Sequence, residues 1–305
     1  AGDVAGLLAA LDTAPAGPAP DGAEAEGAEA GPESAPENPA VRHCWERILE
    51  PAVLRRLVSV EDPDFEALDR ILERAGPAAA DAMLDRLSGS ESLAMRRRTF
   101  DRLVAIGPVV APLTAERILR PDTLPWFVLR NMLALLVEFE GVPDGFSPLP
   151  LCAHPHAQVR CEAMKLALRV PEARDDTVRA ALSDNVDRIL ALGVAAAEAG
   201  TPAGSGPRLI ELALDPHRDP EIRLPAIRAL GRLATGEAVE ALLSLCAPRR
   251  RVLRGDEPPV ATPEACAALR ALATGWPGDL RVTALADLVR RAGEPALREA
   301  LEDRP

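Results

Sequence analysis

The chain has 305 residues, 48% of them hydrophobic and only 3% aromatic, with no tyrosine and a formal net charge of -12. A composition rich in Ala, Leu and Val with so few rings suits closely packed helices and argues against a sheet protein, which favours β-branched and aromatic residues. Eight of the negative charges lie in residues 1–40, which hold no base, so residues 41–305 stand near neutral at -4 and offer no global basic face for nonspecific nucleic-acid binding.

Residues 1–11 predict a short helix. Residues 12–40 mix Ala, Pro, Gly and Glu without period. Such a segment cannot bury enough apolar surface to offset its ordering entropy. The expectation for 1–40 is therefore a disordered acidic linker, a flexible spacer, leading into a helical domain over 41–305. The chain opens with Ala-Gly-Asp, without an initiator Met or a basic region followed by an apolar core. The expectation is a piece of a longer protein, with no signal peptide.

From Val41 onward the pattern predicts helix after helix. The first pairs are 64–75 with 78–87, 91–106 with 108–119, and 124–139 with the short segment 146–153. They continue as 156–170, 174–182, 186–199, 206–214, 220–234, 237–247, 263–274, 278–292 and 294–302. Gly and Pro punctuate them, at Gly107-Pro108, Pro171, Gly200, Pro220, Pro263 and Gly293 among others. Pro in a first turn and Gly just past a helix end are the expected placements. Met95, Thr99, Leu103 and Ile106 recur at steps of three or four. So do Val159, Ala163, Leu166 and Val170, and Ile222, Ala226, Leu230 and Leu233. Each set puts an apolar stripe on one helix face. No alternating strand-like run of useful length stands beside this pattern.

An apolar residue followed by Arg recurs at Met95-Arg96, Leu129-Arg130, Val159-Arg160 and Ile222-Arg223, with a degenerate copy at Asp187-Arg188. The steps between the arginines are 34, 30, 28 and 35 residues. A period of that size is the mark of a helical-repeat solenoid. A solenoid also accommodates a chain longer than one core supports, because it grows by adding layers.

These residues resemble the HEAT-repeat family, including its bacterial HEAT-like branch. The segments that carry the resemblance are HPHAQVRCEAMKLAL (154–168) and DPEIRLPAIRALGRLA (219–234). Weaker copies are LPWFVLRNMLALL (124–136) and SLAMRRRTFDRLVAIG (92–107). The resemblance implies an all-α fold, a superhelix of stacked antiparallel helix pairs, and a scaffold for protein partners. It also implies a ladder in which Arg130, Arg160, Arg188 and Arg223 meet acids in the turns at Asp122, Asp184 and Asp219. Residues 184–199 depart from the motif, because Asp187 takes the apolar site before Arg.

Cys152, His154, His156 and Cys161 fall within ten residues, but C-x-H-x-H-x4-C is not an established zinc spacing, and the expectation is no metal and no cofactor. The five cysteines show no paired framework, which fits a reducing compartment and a cytoplasmic protein. No run of 18 apolar residues predicts a membrane span. No phosphate-binding glycine loop, zinc-protease or nucleophile-elbow motif is present, so no catalytic residue is assigned.

The segment APRRRVLRGDEPPVATP (247–263) interrupts the repeats. It is read as an inserted loop whose Arg249, Arg250, Arg251 and Arg254 form a candidate partner-binding patch, against the plainer reading of a solvated loop with locally paired charges. Trp126 is a further candidate anchor, although core or end packing would also explain it. The leading functional reading is a non-catalytic protein-interaction scaffold, a module of a larger bacterial regulatory protein. The alternatives are a HEAT-like enzyme of the bilin-lyase or alkylpurine-glycosylase kind, and a nucleic-acid-binding solenoid.

Overall fold

The computed structural model describes residues 4–14, 38–60, 63–90, 92–119, 123–233, 235–251 and 255–302; residues 250, 251, 255 and 256 are described by their backbone alone. Most of the described residues are helical. The chain divides into two compact units, 1–146 and 147–305.

The first unit holds α1 (Val4–Thr13), α2 (Pro39–Ile48), α3 (Pro51–Val58), α4 (Phe65–Ala75), α5 (Ala80–Gly89), α6 (Leu93–Ile106), α7 (Val110–Ile118) and α8 (Trp126–Glu138). Its helices start where the sequence supplies a cap. Asp64 accepts from the amides of Glu66 and Ala67 at 3.1 Å each, and Ser92 accepts from Met95 at 3.3 Å. Each such cap satisfies a backbone donor that the helix itself leaves unpaired. Gly107, with φ of +94°, ends α6 in backbone that a side chain rarely adopts. Within the unit α5 packs against α3, α6 and α7, α6 against α8, and α1 against α4. The helix α1 takes in Asp12 and Thr13, and α2 takes in Pro39 and Ala40, so both ends of the expected linker are helical. Its remainder, residues 15–37, lies outside the described residues.

The second unit opens on a 3-10 turn, Leu149–Ala153, and continues with α9 (Ala157–Ala167), α10 (Pro171–Leu182), α11 (Asp187–Ala199), α12 (Gly206–Leu214), α13 (Pro220–Leu230) and α14 (Gly236–Leu245). Two short strands follow, β1 (Arg249–Arg251) and β2 (Gly255–Glu257), then α15 (Pro263–Gly275), α16 (Leu280–Ala292) and α17 (Pro295–Glu302). Here α9 packs on α11, α11 on α13, α13 on α15 and α15 on α17. The intervening helices fill in beside them, with α10 on α11, α12 on α13 and α14, and α14 on α15. No described element of this unit packs extensively on one far away in sequence.

The apolar stripes behave as their spacing predicts. Met95, Thr99 and Leu103 are buried, as are Val159, Ala163 and Leu166, and Ile222, Ala226 and Leu230. The last member of each set, Ile106, Val170 or Leu233, is half-buried because its helix is ending there. Small residues allow close layers. A side chain at Gly193 of α11 would meet the backbone of Ala181 and Leu182 at 2.9 Å. Trp276 packs against the core of the second unit.

One element was not expected. Residues 249–251 and 255–257 pair as an antiparallel ribbon in the register Arg249 to Glu257, Arg250 to Asp256 and Arg251 to Gly255. The expectation of a plain loop is corrected here. Basic residues face acidic ones across the ribbon, an opposite-charge cross-strand pairing that favours this register, and so short a ribbon needs no alternating apolar run.

Candidate functional site

Two of the repeated arginines, Arg160 and Arg223, tie one layer to the next, each through a different kind of acid. Arg160 stands in the first turns of α9. Its Nε donates to Asp184 Oδ2 at 2.9 Å and its Nη2 to Asp184 Oδ1 at 3.0 Å. Its Nη1 donates to the carbonyls of His154 and Pro155, both at 3.0 Å. Asp184 sits in the turn before α11 and also accepts from the Val186 amide at 2.9 Å. One guanidinium thus ties the turn that opens α9 to the turn that opens α11. Burial alone would raise the Asp184 carboxyl; the hydrogen bonds from Arg160 and from the Val186 amide outweigh it and hold the group below the ordinary carboxylate value.

Arg223 of α13 reaches Glu264, in the first turn of α15, at 2.7 Å. Its acid is a helix-opening Glu and not a turn Asp, and its buried Nε has no acceptor among the described residues. Asp219 instead caps α13, accepting from Glu221 at 2.8 Å. Arg130 donates to Asn131 Oδ1 at 3.0 Å, and Asp122 lies outside the described residues. Arg188 is exposed on α11, while the neighbouring Asp187 accepts from Arg218 at 3.0 Å.

Other arginines cap helix ends in adjacent layers, which the repeat motif does not reveal. Arg174 of α10 donates to the Ala196 and Gly200 carbonyls at the end of α11, at 2.7 and 3.1 Å. Arg208 of α12 donates to the Leu182 carbonyl at the end of α10, at 2.9 Å. In the first unit Arg86 of α5 donates to Ser59 and Val60 beyond α3, at 3.0 and 2.9 Å. The last turn of a helix leaves carbonyls without intrahelical donors, and a guanidinium with several N–H groups can serve two at once.

The candidate recognition residues fall in different places. Trp126 opens α8, 37% exposed, and meets Phe127 edge-on with ring centroids 6.1 Å apart. Arg249 begins β1; its Nε donates to the Pro258 carbonyl at 3.2 Å and its Nη2 lies 3.8 Å from Glu257. The backbones of Arg250 and Arg251 complete β1, their side chains are not described, and Arg254 lies outside the described residues. Cys152 donates to the Pro148 carbonyl at 3.6 Å, the His156 amide donates to His154 Nδ1 at 3.1 Å, and Cys161 is buried in α9. Among the described residues no group of three His, Cys, Asp or Glu is placed to hold a metal ion.

The ribbon borders an open cleft in the second unit. Strand β2 packs on α16, and between them and α14 lies an open cleft of about 1020 Å³. Its lining includes Leu243, Leu285 and Leu288, with Ala247, Pro248 and Pro258 beside them, and Glu240, Glu257, Arg281 and Arg291 among its charged residues. Arg281 is clamped by Asp279, with Nε to Oδ1 at 3.1 Å and Nη2 to Oδ2 at 2.8 Å, and it also pairs with Glu240. The hydrogen bonds from the Arg281 side chain and backbone bring the Asp279 carboxyl down to about 2.

Sequence reasoning found the insertion and missed the cleft. The core face of α16 is Val282, Leu285, Ala286 and Val289. Leu288 sits one position off that stripe and is half-buried, as Leu243 is beside the stripe of α14. An apolar residue flanking a complete core stripe is the signal that could have located it.

No protein-family model matches the chain, and no curated protein matches it. Among the described residues no helix is long and apolar enough to cross a membrane.

Proposed function

We propose that the chain is a HEAT-like helical-repeat scaffold that holds a protein partner and performs no chemistry of its own, working in the cytoplasm as a module of a larger regulatory protein. The repeat reading rests on the near-neighbour packing of the second unit and on the arginines that tie one layer to the next. Neighbour-only contact is what a quasi-one-dimensional array requires. The single observation that carries the functional reading is the α14–α16 cleft. Its aliphatic residues and nearby charged groups have the chemistry of protein recognition, where an apolar centre supplies affinity and a polar margin supplies specificity. The charge of residues 41–305, at -4, favours a protein partner over nucleic acid.

The test is capture from cell lysate with the full chain as bait, followed by calorimetric titration of each retained protein after purification. The expected result is saturable binding of at least one protein. Retention of nucleic acid alone, or of no protein that binds when purified, would overturn the reading.

A further inference from the structure

We propose that the pocket between α3 and α5, in the first unit, binds a small phosphorylated molecule through its phosphate groups. The site is separate from the α14–α16 cleft, and it does not depend on the scaffold reading. Its volume is about 410 Å³, within the range of about 300–1,000 Å³ typical of small-molecule sites. Arg55 and Arg56 line it from the last turns of α3, Ser59 from the residue beyond, and Asp85, Arg86 and Gly89 from the second half of α5. Among the lining side chains only Val58 and Ala82 are apolar, and both are buried. An organic group finds little to pack on there, so recognition falls to charge.

Three arginines against Asp85 leave a surplus of two positive charges in the lining. The charges just outside it do not cancel that surplus. Asp85 accepts from Arg117 at 3.0 Å. Asp81, which accepts from Arg55 at 3.2 Å, also accepts from Arg117 at 2.6 Å. With those partners counted there are four Arg against two Asp, and the surplus is still two. Arg56 is exposed and has no hydrogen bond or ion pair among the described residues. A phosphate monoester carries about −1.5 to −2 charges near neutral pH, which matches the surplus, and planar guanidinium groups meet its oxygens two at a time.

The C-terminal end of a helix ordinarily repels an anion through its unpaired carbonyls. At the end of α3 those carbonyls are engaged. The Ser59 amide donates to the Arg55 carbonyl at 3.0 Å and the Ser59 hydroxyl to the Arg56 carbonyl at 2.9 Å. Arg86 donates to the carbonyls of Ser59 and Val60 at 3.0 and 2.9 Å. The same bonds hold the Arg86 guanidinium in place, so one wall of the site is ordered before a ligand arrives. Gly89 leaves room beside it, because a Cβ there would meet nothing within 4 Å.

The experiment titrates pyrophosphate into the full chain by calorimetry at low ionic strength, where such a contact is least screened. The expected result is saturable binding with a Kd on the order of 1 mM or tighter. Arg56→Ser should weaken it about tenfold, and Gly89→Glu, which sets a carboxylate at the pocket, should weaken it further. Arg86 is left in place because it also holds the turn after α3. Arg97→Ser, at an exposed site of α6, is the control and should bind as the parent does. No saturable binding, binding unchanged in both pocket variants, or an equal loss in the control would overturn the proposal. Glu61 and Asp62 follow Val60 and lie outside the described residues. Binding that appears only when Glu61→Gln and Asp62→Asn are combined would give the arginines to the chain's own acids, and the proposal would fall. It would fall as well if succinate bound as tightly as pyrophosphate, which would make this a carboxylate site. A phosphoserine peptide that bound about tenfold tighter than pyrophosphate, with the same dependence on Arg56, would replace the small molecule with a modified protein.

Discussion

Arg160 and Asp184 form a two-pronged ion pair across two layers of the second unit, with contacts of 2.9 and 3.0 Å, the carboxylate side chain 7% exposed and the guanidinium side chain 16% exposed. Parallel N–H···O bonds of this kind are geometrically specific as well as strong. The same guanidinium serves two backbone carbonyls of the preceding turn. Removing it leaves a largely buried carboxylate and two carbonyls without their donor. Arg160→Ala should therefore lower stability by about 1–3 kcal/mol, measured by chemical denaturation. Lys should rescue only part of the loss, because an ammonium lacks the planar fork. Arg188→Ala, at the exposed member of the series, should stay within about 0.5 kcal/mol of the parent. Equal losses at the two sites would show that the pair contributes nothing particular.

The pH dependence follows from the same residue. Asp184 is held below the ordinary carboxylate value in the folded chain, where Arg160 and the Val186 amide outweigh burial, and Asp69 is held down in the same way by Arg102 and Arg98. The unfolded chain therefore binds more protons between the lowered folded value and the ordinary value of about 3.9. The stabilisation is fully present above that ordinary value and is lost as pH falls through the folded one. Denaturation midpoints should drop steeply below about pH 4, and Asp184→Asn should make that drop shallower while costing stability at pH 7. An unchanged acid slope in the variant would remove Asp184 from the account.

The parts of the molecule that were legible in the sequence are those that a local period determines. Val159, Ala163 and Leu166 announce a buried stripe because the helix repeat alone brings them to one face. Pro220 announces the start of α13 because a proline is favoured in the first turn of a helix. What was not legible depends on distant partners. Glu264 stands 41 residues beyond Arg223, across the inserted ribbon, so no local spacing could name it. The same holds for the Arg174 and Arg208 carbonyl contacts, whose acceptors carry no side-chain signature. The cleft was hidden for a further reason. It is defined by which flanks of α14 and α16 the stacking leaves uncovered, and that is known only once the layers are assembled.

The cysteines separate by access and by burial. Cys246 is fully buried, its thiol donates to the Ala265 carbonyl at 3.2 Å, and burial pushes it up to about 12. Cys152, half-buried in its 3-10 turn, is pushed up to about 11 for the same reason. The thiolate is the reacting form, so neither should react readily near neutral pH. Iodoacetamide at pH 8 should label Cys44 on α2 well before Cys246 in the native protein, and all five after denaturation, as followed by peptide mass spectrometry. Early labelling of Cys246 would mean that the α14–α15 contact opens readily.

Gly193 tests how tightly α11 lies on its neighbour. In an isolated helix interior, Gly→Ala is worth roughly 1 kcal/mol in favour of Ala. Here the added Cβ would stand 2.9 Å from the carbonyl carbon and Cβ of Ala181 and from the Leu182 amide nitrogen. Two of those three atoms are backbone in the last turn of α10, so they cannot swing aside as a side-chain tip can. Relief requires moving α10 against α11, and overpacking of this kind costs about 1–3 kcal/mol. The steric term should win, and Gly193→Ala should destabilise the protein. Gly89, the last residue of α5, is the contrast. Its Cβ would meet nothing within 4 Å, and its φ is not positive. Gly89→Ala should therefore raise stability by about 0.4–1 kcal/mol through the unfolded chain. Thermal denaturation of both variants decides the matter. If Gly193→Ala melts at or above the parent temperature, the helices are looser than their 2.9 Å approach implies, and the close packing of the α10–α11 pair is not what holds this layer together.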